Sequence, residues 1–357
     1  MGKGFAITSD LNLGKMLLAG YARHLAEPTT NGGNGHIDSQ PSNKKRRISQ
    51  LPRIRIAAIT NDTVATFASL AYAVKAAPHS RVAMGLIVGT GTNATVPMKI
   101  GDLHPSKQEQ LADSVETVVI NTEWTIRGTD KPLIDLDIKS SWDLDLDKNS
   151  DAPGFQPFEY MTAGRYLGEI VRLAFVDIVT RDSEAQLPPS LRTRNAVQTR
   201  FLSEIVARAD DGAVTKELER LYPSISSPTP FWISSRVRLV RDIAYAVQQR
   251  SSALIAAACV GLLDCVHDIQ IDAPSHKLEK NGIVPQNEGE MEELVIAFAG
   301  GTISQYPEWL ETCQRWIDIL VTKASPANVT KRVVLKEALD GGIIGAGVLA
   351  GMTDEIA

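Results

Sequence analysis

Two apolar runs that end in short polar or glycine-rich turns constrain this chain most. Residues 54–59 are followed by Asn61-Asp62-Thr63, and residues 84–88 are followed by Gly89-Thr90-Gly91-Thr92-Asn93-Ala94. Such runs predict buried strands, so the polar residues emerge at strand ends, where open α/β sheets hold their ligands. The glycine turn offers backbone N–H groups and two hydroxyls, which suit a phosphate oxygen. A carboxylate beside such a turn indicates phosphoryl transfer.

Composition narrows the class of protein. The 357 residues are enough for two lobes, and 43% apolar with 22% charged residues is ordinary for a soluble globular chain. A net charge of −5 argues against nucleic-acid binding. The three cysteines form no CxxC pair, and no apolar run reaches the roughly 20 residues that span a bilayer. We therefore predict a cytoplasmic protein without a membrane span.

The order of the remaining patterns predicts an α/β fold. Apolar periodicity predicts strands at 54–59, 83–88, 116–121, 294–299 and 333–335, and helices at 63–75, 159–180, 240–267 and 309–320. Residues 139–155 are polar and turn-rich, residues 27–52 form a predicted disordered insert, and a polar loop covers residues 272–290. Glycine turns follow several strands, and each such turn offers N–H groups to a nucleotide.

Asp62 is the candidate general base. A positioned base contributes roughly 10²–10⁴-fold in rate. The alternative is that Asn61-Asp62-Thr63 only caps the following helix, because Asp, Asn and Thr are favoured at that position. Taken alone, the triplet favours the cap.

Five blocks in order make the chain resemble the hexokinase family. They are Lys3-Gly4-Phe5, Ile59-Thr60-Asn61-Asp62-Thr63-Val64, Gly85-Leu86-Ile87-Val88-Gly89-Thr90-Gly91-Thr92-Asn93-Ala94, Ile120-Asn121-Thr122-Glu123-Trp124 and Gly154-Phe155-Gln156-Pro157-Phe158-Glu159-Tyr160-Met161. The resemblance covers nearly the whole chain outside the insert and the 270–290 loop. It implies a two-lobed, actin-like ATPase (ribonuclease H-like) fold.

The resemblance also implies a role for each matching residue. Asp62 is the expected base for the C6 hydroxyl of a hexose, and Lys3 the catalytic lysine near it. The residues expected to bind the sugar are Asn61, Asn93, Glu123, Gln156 and Glu159. Those expected to bind ATP are Gly89, Thr90, Gly91, Thr92, Gly300, Gly301, Thr302 and Gly341. Mg²⁺ is the expected companion of ATP, and no residue of this chain is assigned as its ligand.

Two departures from the family pattern change the expectations. The family's Asp-Leu-Gly-Gly-Thr phosphate turn has no counterpart ahead of Lys3, so the small lobe is expected to be incomplete at the N-terminus and poorly stable unless another chain completes it. Gly2 stands where most hexokinases have Thr, and Gly154-Phe155 and Pro157-Phe158 flank Gln156. This is similar to fungal N-acetylglucosamine kinases, in which a bulkier 2-substituent must fit.

The predicted organisation follows from the resemblance. Residues 1–60 are the remnant of the small lobe, residues 61–335 the large lobe, and residues 336–357 a turn and helix that return to the small lobe. The predicted function is transfer of the γ-phosphoryl group of ATP to the C6 hydroxyl of glucose or N-acetylglucosamine. The alternatives are an inactive, sugar-sensing regulatory protein, or an incomplete sequence of a longer, active kinase.

Overall fold

The computed structural model describes residues 12–25, 52–74, 79–112, 114–124, 130–181, 186–225, 230–271, 291–324 and 330–353. Lys3, Gly2, the 272–290 loop and all of the predicted insert except Pro52 lie outside the described residues. The chain divides into two compact units, one of Met1–Ile59 with Ala350–Ala357 and one of Thr60–Leu349. The predicted lobe boundaries stay a prediction.

A five-stranded mixed sheet forms the centre of the Thr60–Leu349 unit. The strands are β1 (Ser80–Val88), β2 (Thr92–Lys99), β3 (Thr117–Asn121), β4 (Glu292–Ala299) and β5 (Lys331–Glu337). Their order is β3-β2-β1-β4-β5, with β1 antiparallel to β2, β2 antiparallel to β3, and β1, β4 and β5 parallel. The parallel strands β1 and β4 are buried over most of their length, as their continuous apolar sequences predict.

Thirteen α-helices accompany the sheet in the described part of the chain. They are α1 (Leu13–Leu25), α2 (Asp62–Val74), α3 (Pro105–Gln108), α4 (Asp130–Asp135), α5 (Ser141–Lys148), α6 (Pro157–Thr162), α7 (Gly164–Arg181), α8 (Thr199–Phe201), α9 (Asp211–Leu221), α10 (Ser234–Cys265), α11 (Gly301–Gln305), α12 (Trp309–Ala324) and α13 (Gly341–Thr353). Short 3₁₀ turns occupy Ile100–Asp102 and Pro189–Arg192, and a π-helical turn occupies Leu202–Val206. The α/β class is confirmed.

The predicted strand at 54–59 is wrong. Residues 52–61 have no regular secondary structure, and Ile54 and Ile59 are 45% and 55% exposed. A strand needs a neighbour that pairs with its backbone N–H and C=O groups, and none of the five described strands pairs with this segment. The predicted helix that follows it is confirmed as α2.

Two predicted regions differ in detail. The helix predicted over 159–180 is interrupted at Ala163, which has extended backbone angles and separates α6 from α7. The polar 139–155 region contains α5, because Ser140 and Asp143 form a reciprocal capping box at its N-terminus. Asp143 is also buried and paired with Arg250 on α10. An ion pair therefore anchors this helix together with Leu146, which is buried in the core.

Helix α10 is the core helix of the large unit. By length and composition alone it could cross a membrane, yet half of its most apolar stretch is buried inside the fold. Twelve of its residues are buried, including Ile255, Cys259 and Leu263. The long apolar sequence of α10 is therefore explained by packing against α12 and α7.

Candidate active site

Asp62 is the first residue of α2 and is exposed to solvent. The backbone N–H of Thr63 donates to Oδ1 of Asn61 and to Oδ1 of Asp62, each over 2.9 Å. These bonds satisfy a backbone donor that the helix leaves without an intrahelical partner. Asn61 and Asp62 therefore cap α2, and a cap that uses Oδ1 leaves the second carboxylate oxygen of Asp62 for chemistry.

A cluster of amides and hydroxyls joins the start of α2 to the sheet. Asn93 on β2 donates through Nδ2 to Oδ1 of Asn121 over 2.6 Å, and Asn121 donates through Nδ2 to Oε1 of Glu123 over 3.0 Å. The Thr63 hydroxyl lies 2.8 Å from that of Thr95. Three of the predicted sugar-binding residues, Asn61, Asn93 and Glu123, thus share one hydrogen-bonded network.

Glu159 and Gln156 lie at the N-terminus of α6 and are buried, at 2% and 4% exposure. The N–H of Thr92 donates to Oε2 of Glu159 over 3.2 Å. A β-carbon at Gly91 would lie at the same distance from that oxygen. The glycine turn after β1 therefore contacts one of the predicted sugar carboxylates directly.

Three glycine-containing turns meet at the carbonyl of Gly89. The N–H of Gly164 donates to this oxygen over 2.8 Å and the hydroxyl of Thr302 over 3.1 Å. A β-carbon at Gly164 would lie closer than 3.0 Å to the Gly89 oxygen and to the Thr302 hydroxyl. A β-carbon at Gly300 would clash with the backbone of Val88. Gly300 also has φ +123°, a left-handed conformation that favours glycine. The close approach of these turns explains their glycines.

A cavity of about 840 Å³ adjoins this junction. Four of the predicted nucleotide-binding residues line it, namely Gly89, Thr90, Gly301 and Thr302. Four arginines and three carboxylates also line it: Arg165, Arg172, Arg194, Arg200, Asp145, Asp151 and Glu169. Arginine suits phosphate because its guanidinium donates several parallel hydrogen bonds. The volume and the donors therefore fit an anionic, nucleotide-sized ligand.

Several lining residues carry no sequence signal of their own. Arg194, Thr199, Arg200 and Ser203 come from a stretch without a glycine motif or apolar period, and only the folded chain brings it beside the Gly89 turn. Tyr166 also lines the cavity, and burial raises its pKa to about 12. Its hydroxyl therefore stays protonated at neutral pH and keeps its hydrogen-bond donor.

The last of the predicted ATP-binding residues, Gly341, lies outside the cavity wall. It is buried at the start of α13, and a β-carbon there would approach Ser69 and Thr66 of α2. It does not line the cavity. Close packing against Ala338 and α2 accounts for this glycine, and its assignment to ATP binding gains nothing from this position.

No group of three or more His, Cys, Asp or Glu side chains is placed to hold a metal ion within the ranges that the structure describes. Mg²⁺ is usually held by one or two carboxylates together with the phosphates of a nucleotide. Asp145 and Asp151 on the cavity wall are carboxylates of that kind.

Comparison with known proteins decides the family. A sequence model of the family described as hexokinase matches residues 83–352, which is most of the chain. The chain belongs to the hexokinase family. Hexokinase-1 of Oryza sativa subsp. japonica is 32% identical over 307 residues, which cover 83% of this chain and 53% of that hexokinase. Hexokinase of Schistosoma mansoni is 29% identical over 301 residues, with 83% and 57% covered.

Solved hexokinase structures share the fold. The structure described as hexokinase from Schistosoma mansoni complexed with glucose is 28% identical, with a TM-score of 0.62 over 83% of this chain and 57% of that chain. A second hexokinase crystal structure has a TM-score of 0.60 at 22% identity, with 83% and 55% covered. The predicted actin-like ATPase fold is confirmed. The chain spans about half the length of these hexokinases.

Proposed function

We propose that this protein is an ATP-dependent sugar kinase that transfers the γ-phosphoryl group of ATP to the C6 hydroxyl of a hexose. The turn of residues 89–92 carries the proposal. Gly89 and Thr90 line the cavity, whereas the N–H of Thr92 binds Glu159. One short turn therefore contacts both the candidate phosphate site and the candidate sugar site, as in-line transfer between two bound substrates requires.

Each group has a role in the proposed reaction. Asp62 accepts the proton of the C6 hydroxyl, and the amides and carboxylates of Asn93, Glu123 and Glu159 hold the other sugar hydroxyls in pairs. Thr90, Thr302 and three of the cavity arginines, Arg165, Arg194 and Arg200, hold the phosphates. Lys3 adds positive charge near the reacting hydroxyl. When bound, Mg²⁺ neutralises charge on the phosphates.

The proposed sugar is glucose or N-acetylglucosamine. The relative solved with glucose supports the first. The sequence Gly154-Phe155 beside Gln156, which is similar to N-acetylglucosamine kinases, supports the second. Cys259, Cys265 and Cys313 are free thiols, which supports a cytosolic location.

An ADP-release assay on the full chain, with Mg·ATP and either sugar, tests the proposal. We expect sugar-dependent turnover that falls roughly 10²–10⁴-fold in Asp62→Asn, because a general base contributes about that much. Asp135→Asn is the matched control, since Asp135 is an exposed carboxylate paired only with Lys131 one turn away. The faster sugar identifies the substrate.

Two outcomes would contradict the proposal. Equal turnover in Asp62→Asn and in the wild type would show that Asp62 is not the general base. A sugar that raises the melting temperature without any ADP release would favour the sugar-sensing alternative over the kinase.

A further inference from the structure

Glu169 and Arg172 form a buried ion pair on α7, beside the cavity. They are 4% and 7% exposed, and Arg172 donates through Nε and Nη2 to the two carboxylate oxygens of Glu169 over 2.7 and 2.6 Å. Burying two charges is unfavourable unless each finds full compensation. The proposed transfer reaction assigns neither residue a role, so this buried pair needs a different explanation.

Both side chains also bind the backbone of a following segment, residues 191–200. Arg172 donates through Nη1 to the carbonyl of Leu191 over 2.8 Å, and Oε2 of Glu169 accepts the N–H of Asn195 over 2.6 Å. Asn195 has φ +59°, a left-handed conformation that is uncommon for residues other than glycine. The ion pair therefore holds this segment at both a carbonyl and an N–H.

The same helix holds the segment at a third point. The N–H of Gly168 donates to the hydroxyl of Thr199 over 2.9 Å. A β-carbon at Gly168 would lie closer than 3.0 Å to the carbonyl of Val197, so only glycine permits this approach. Helix α7 and the 191–200 segment are thus in direct backbone contact along the edge of the cavity.

The 191–200 segment supplies a large part of the cavity lining. Six of its residues line the cavity, namely Arg194, Asn195, Val197, Gln198, Thr199 and Arg200. Each of the three guanidinium nitrogens of Arg172 donates within the protein, and both carboxylate oxygens of Glu169 accept there. The pair is therefore suited to position the segment rather than to bind a ligand.

We propose that Glu169 and Arg172 are positioning residues that fix the 191–200 segment as a preformed wall of the nucleotide site. The assignment of a nucleotide to the cavity rests on the proposed function, whereas the anchoring of the segment does not. A preformed wall strengthens binding because less conformational freedom is lost when the nucleotide arrives.

Hydrogen exchange and ADP binding on the full chain test the two parts separately. In Glu169→Gln, we expect the Asn195 amide and its neighbours in the 191–200 segment to exchange at least tenfold faster than in wild type. We expect the dissociation constant of Mg·ADP by calorimetry to rise about tenfold. Exchange in α10 and α12 should stay unchanged, which distinguishes local loosening from global unfolding.

Glu217→Gln is the matched control. Glu217 and Arg220 form an ion pair with the same i,i+3 spacing on α9, but both are more exposed. We expect wild-type exchange in the 191–200 segment and wild-type ADP affinity. Arg172→Lys keeps a positive partner for Glu169 and serves if Glu169→Gln does not fold. Lysine cannot keep the bonds to both Glu169 and Leu191, so we expect faster exchange there as well.

The outcomes separate the inference from the proposed function. The positioning role would be overturned if the 191–200 segment of folded Glu169→Gln exchanged at the wild-type rate. If Glu169→Gln does not fold, the same result in folded Arg172→Lys would overturn it. Faster exchange with unchanged ADP affinity would also overturn it. If the wild-type chain binds no ADP, the assignment of a nucleotide to the cavity is wrong. The proposed role of the 191–200 segment as a wall of a nucleotide site is then wrong as well. Faster exchange in that case would support only the anchoring of the segment.

Discussion

Asn93 and Asn121 are diagonal neighbours on the adjacent strands β2 and β3, and a 2.6 Å hydrogen bond joins their side chains. The register of β2 against β3 brings them together, because Thr95 pairs with Asn121 and Asn93 lies two residues from Thr95 on the same face of β2. The Oδ1 atom of Asn121 accepts from Asn93, and its Nδ2 donates to Glu123. Asn121 therefore orients two of the proposed sugar-binding residues, a position that its place in the sequence does not reveal.

Removing the Asn121 amide should weaken sugar binding. In Asn121→Ala, Asn93 and Glu123 lose the partner that orients them, and we expect the dissociation constant of the better sugar substrate to rise about tenfold, which is about 1.4 kcal/mol. Calorimetry of the full chain measures it. Gln110→Ala is the control, because Gln110 is exposed and its side-chain amide donates to the Ser106 carbonyl, away from this network. Wild-type sugar affinity in Asn121→Ala would contradict the orienting role.

The fold was predictable where a local apolar run has a partner in the sheet. The runs at 84–88 and 294–299 became β1 and β4, which pair in parallel at the centre. The equally apolar run at 54–59 did not become a strand, because pairing is a property of the neighbouring chain and not of the run itself. Strand β2 was missed for the converse reason, since its polar start conceals a buried strand.

The candidate site was predictable only where one motif carries several neighbouring residues. The motifs at 61–63 and 89–94 supplied the α2 cap and the turn beside the cavity. Asn121 and the 191–200 segment gained their positions from strand register and from contacts with α7. Neither relation is visible as a spacing in the sequence.

Helix α13 packs against α2 through glycine. A β-carbon at Gly345 would overlap the carbonyl group of Ala65, whereas one at Gly347 would have no neighbour within 4 Å. We expect Gly345→Ala to lower the free energy of unfolding by about 3 kcal/mol, because overpacking forces the helices apart. Gly347→Ala should raise it by about 0.5–1 kcal/mol through better helix propensity. Urea unfolding of both variants measures the difference, and a stabilised Gly345→Ala would contradict the packing.

The three thiols should differ in reactivity. Cys259 and Cys313 are fully buried, and burial raises the pKa of both, whereas Cys265 is exposed. The thiolate is the reactive form, so we expect an aromatic disulfide reagent at pH 8 to modify one thiol rapidly and two at least roughly a hundredfold more slowly. Cys265→Ser should remove the fast phase. Two fast phases in wild type would contradict the burial.

The buried carboxylate of Asp143 depends on Arg250. Arg250 donates through Nη1 and Nη2 to both oxygens over 2.7 and 2.8 Å, and Asp143 is only 3% exposed. In Arg250→Met, the carboxylate keeps its bonds to Ser140 at the start of α5 but loses its cation. We expect the free energy of unfolding to fall by about 3 kcal/mol, since an unpaired buried charge is costly.

Two further variants distinguish the effect of losing the Asp143–Arg250 ion pair from the effect of losing any charge. Lys131→Met breaks an exposed pair with Asp135 and should cost at most about 0.5 kcal/mol. The double variant Asp143→Leu with Arg250→Met removes both charges, and we expect it to recover part of the loss, because no carboxylate is then left buried without a cation. Recovery stays partial, since the capping box at Ser140 is lost as well. A double variant less stable than Arg250→Met alone would show that the capping role of Asp143 outweighs its pairing with Arg250.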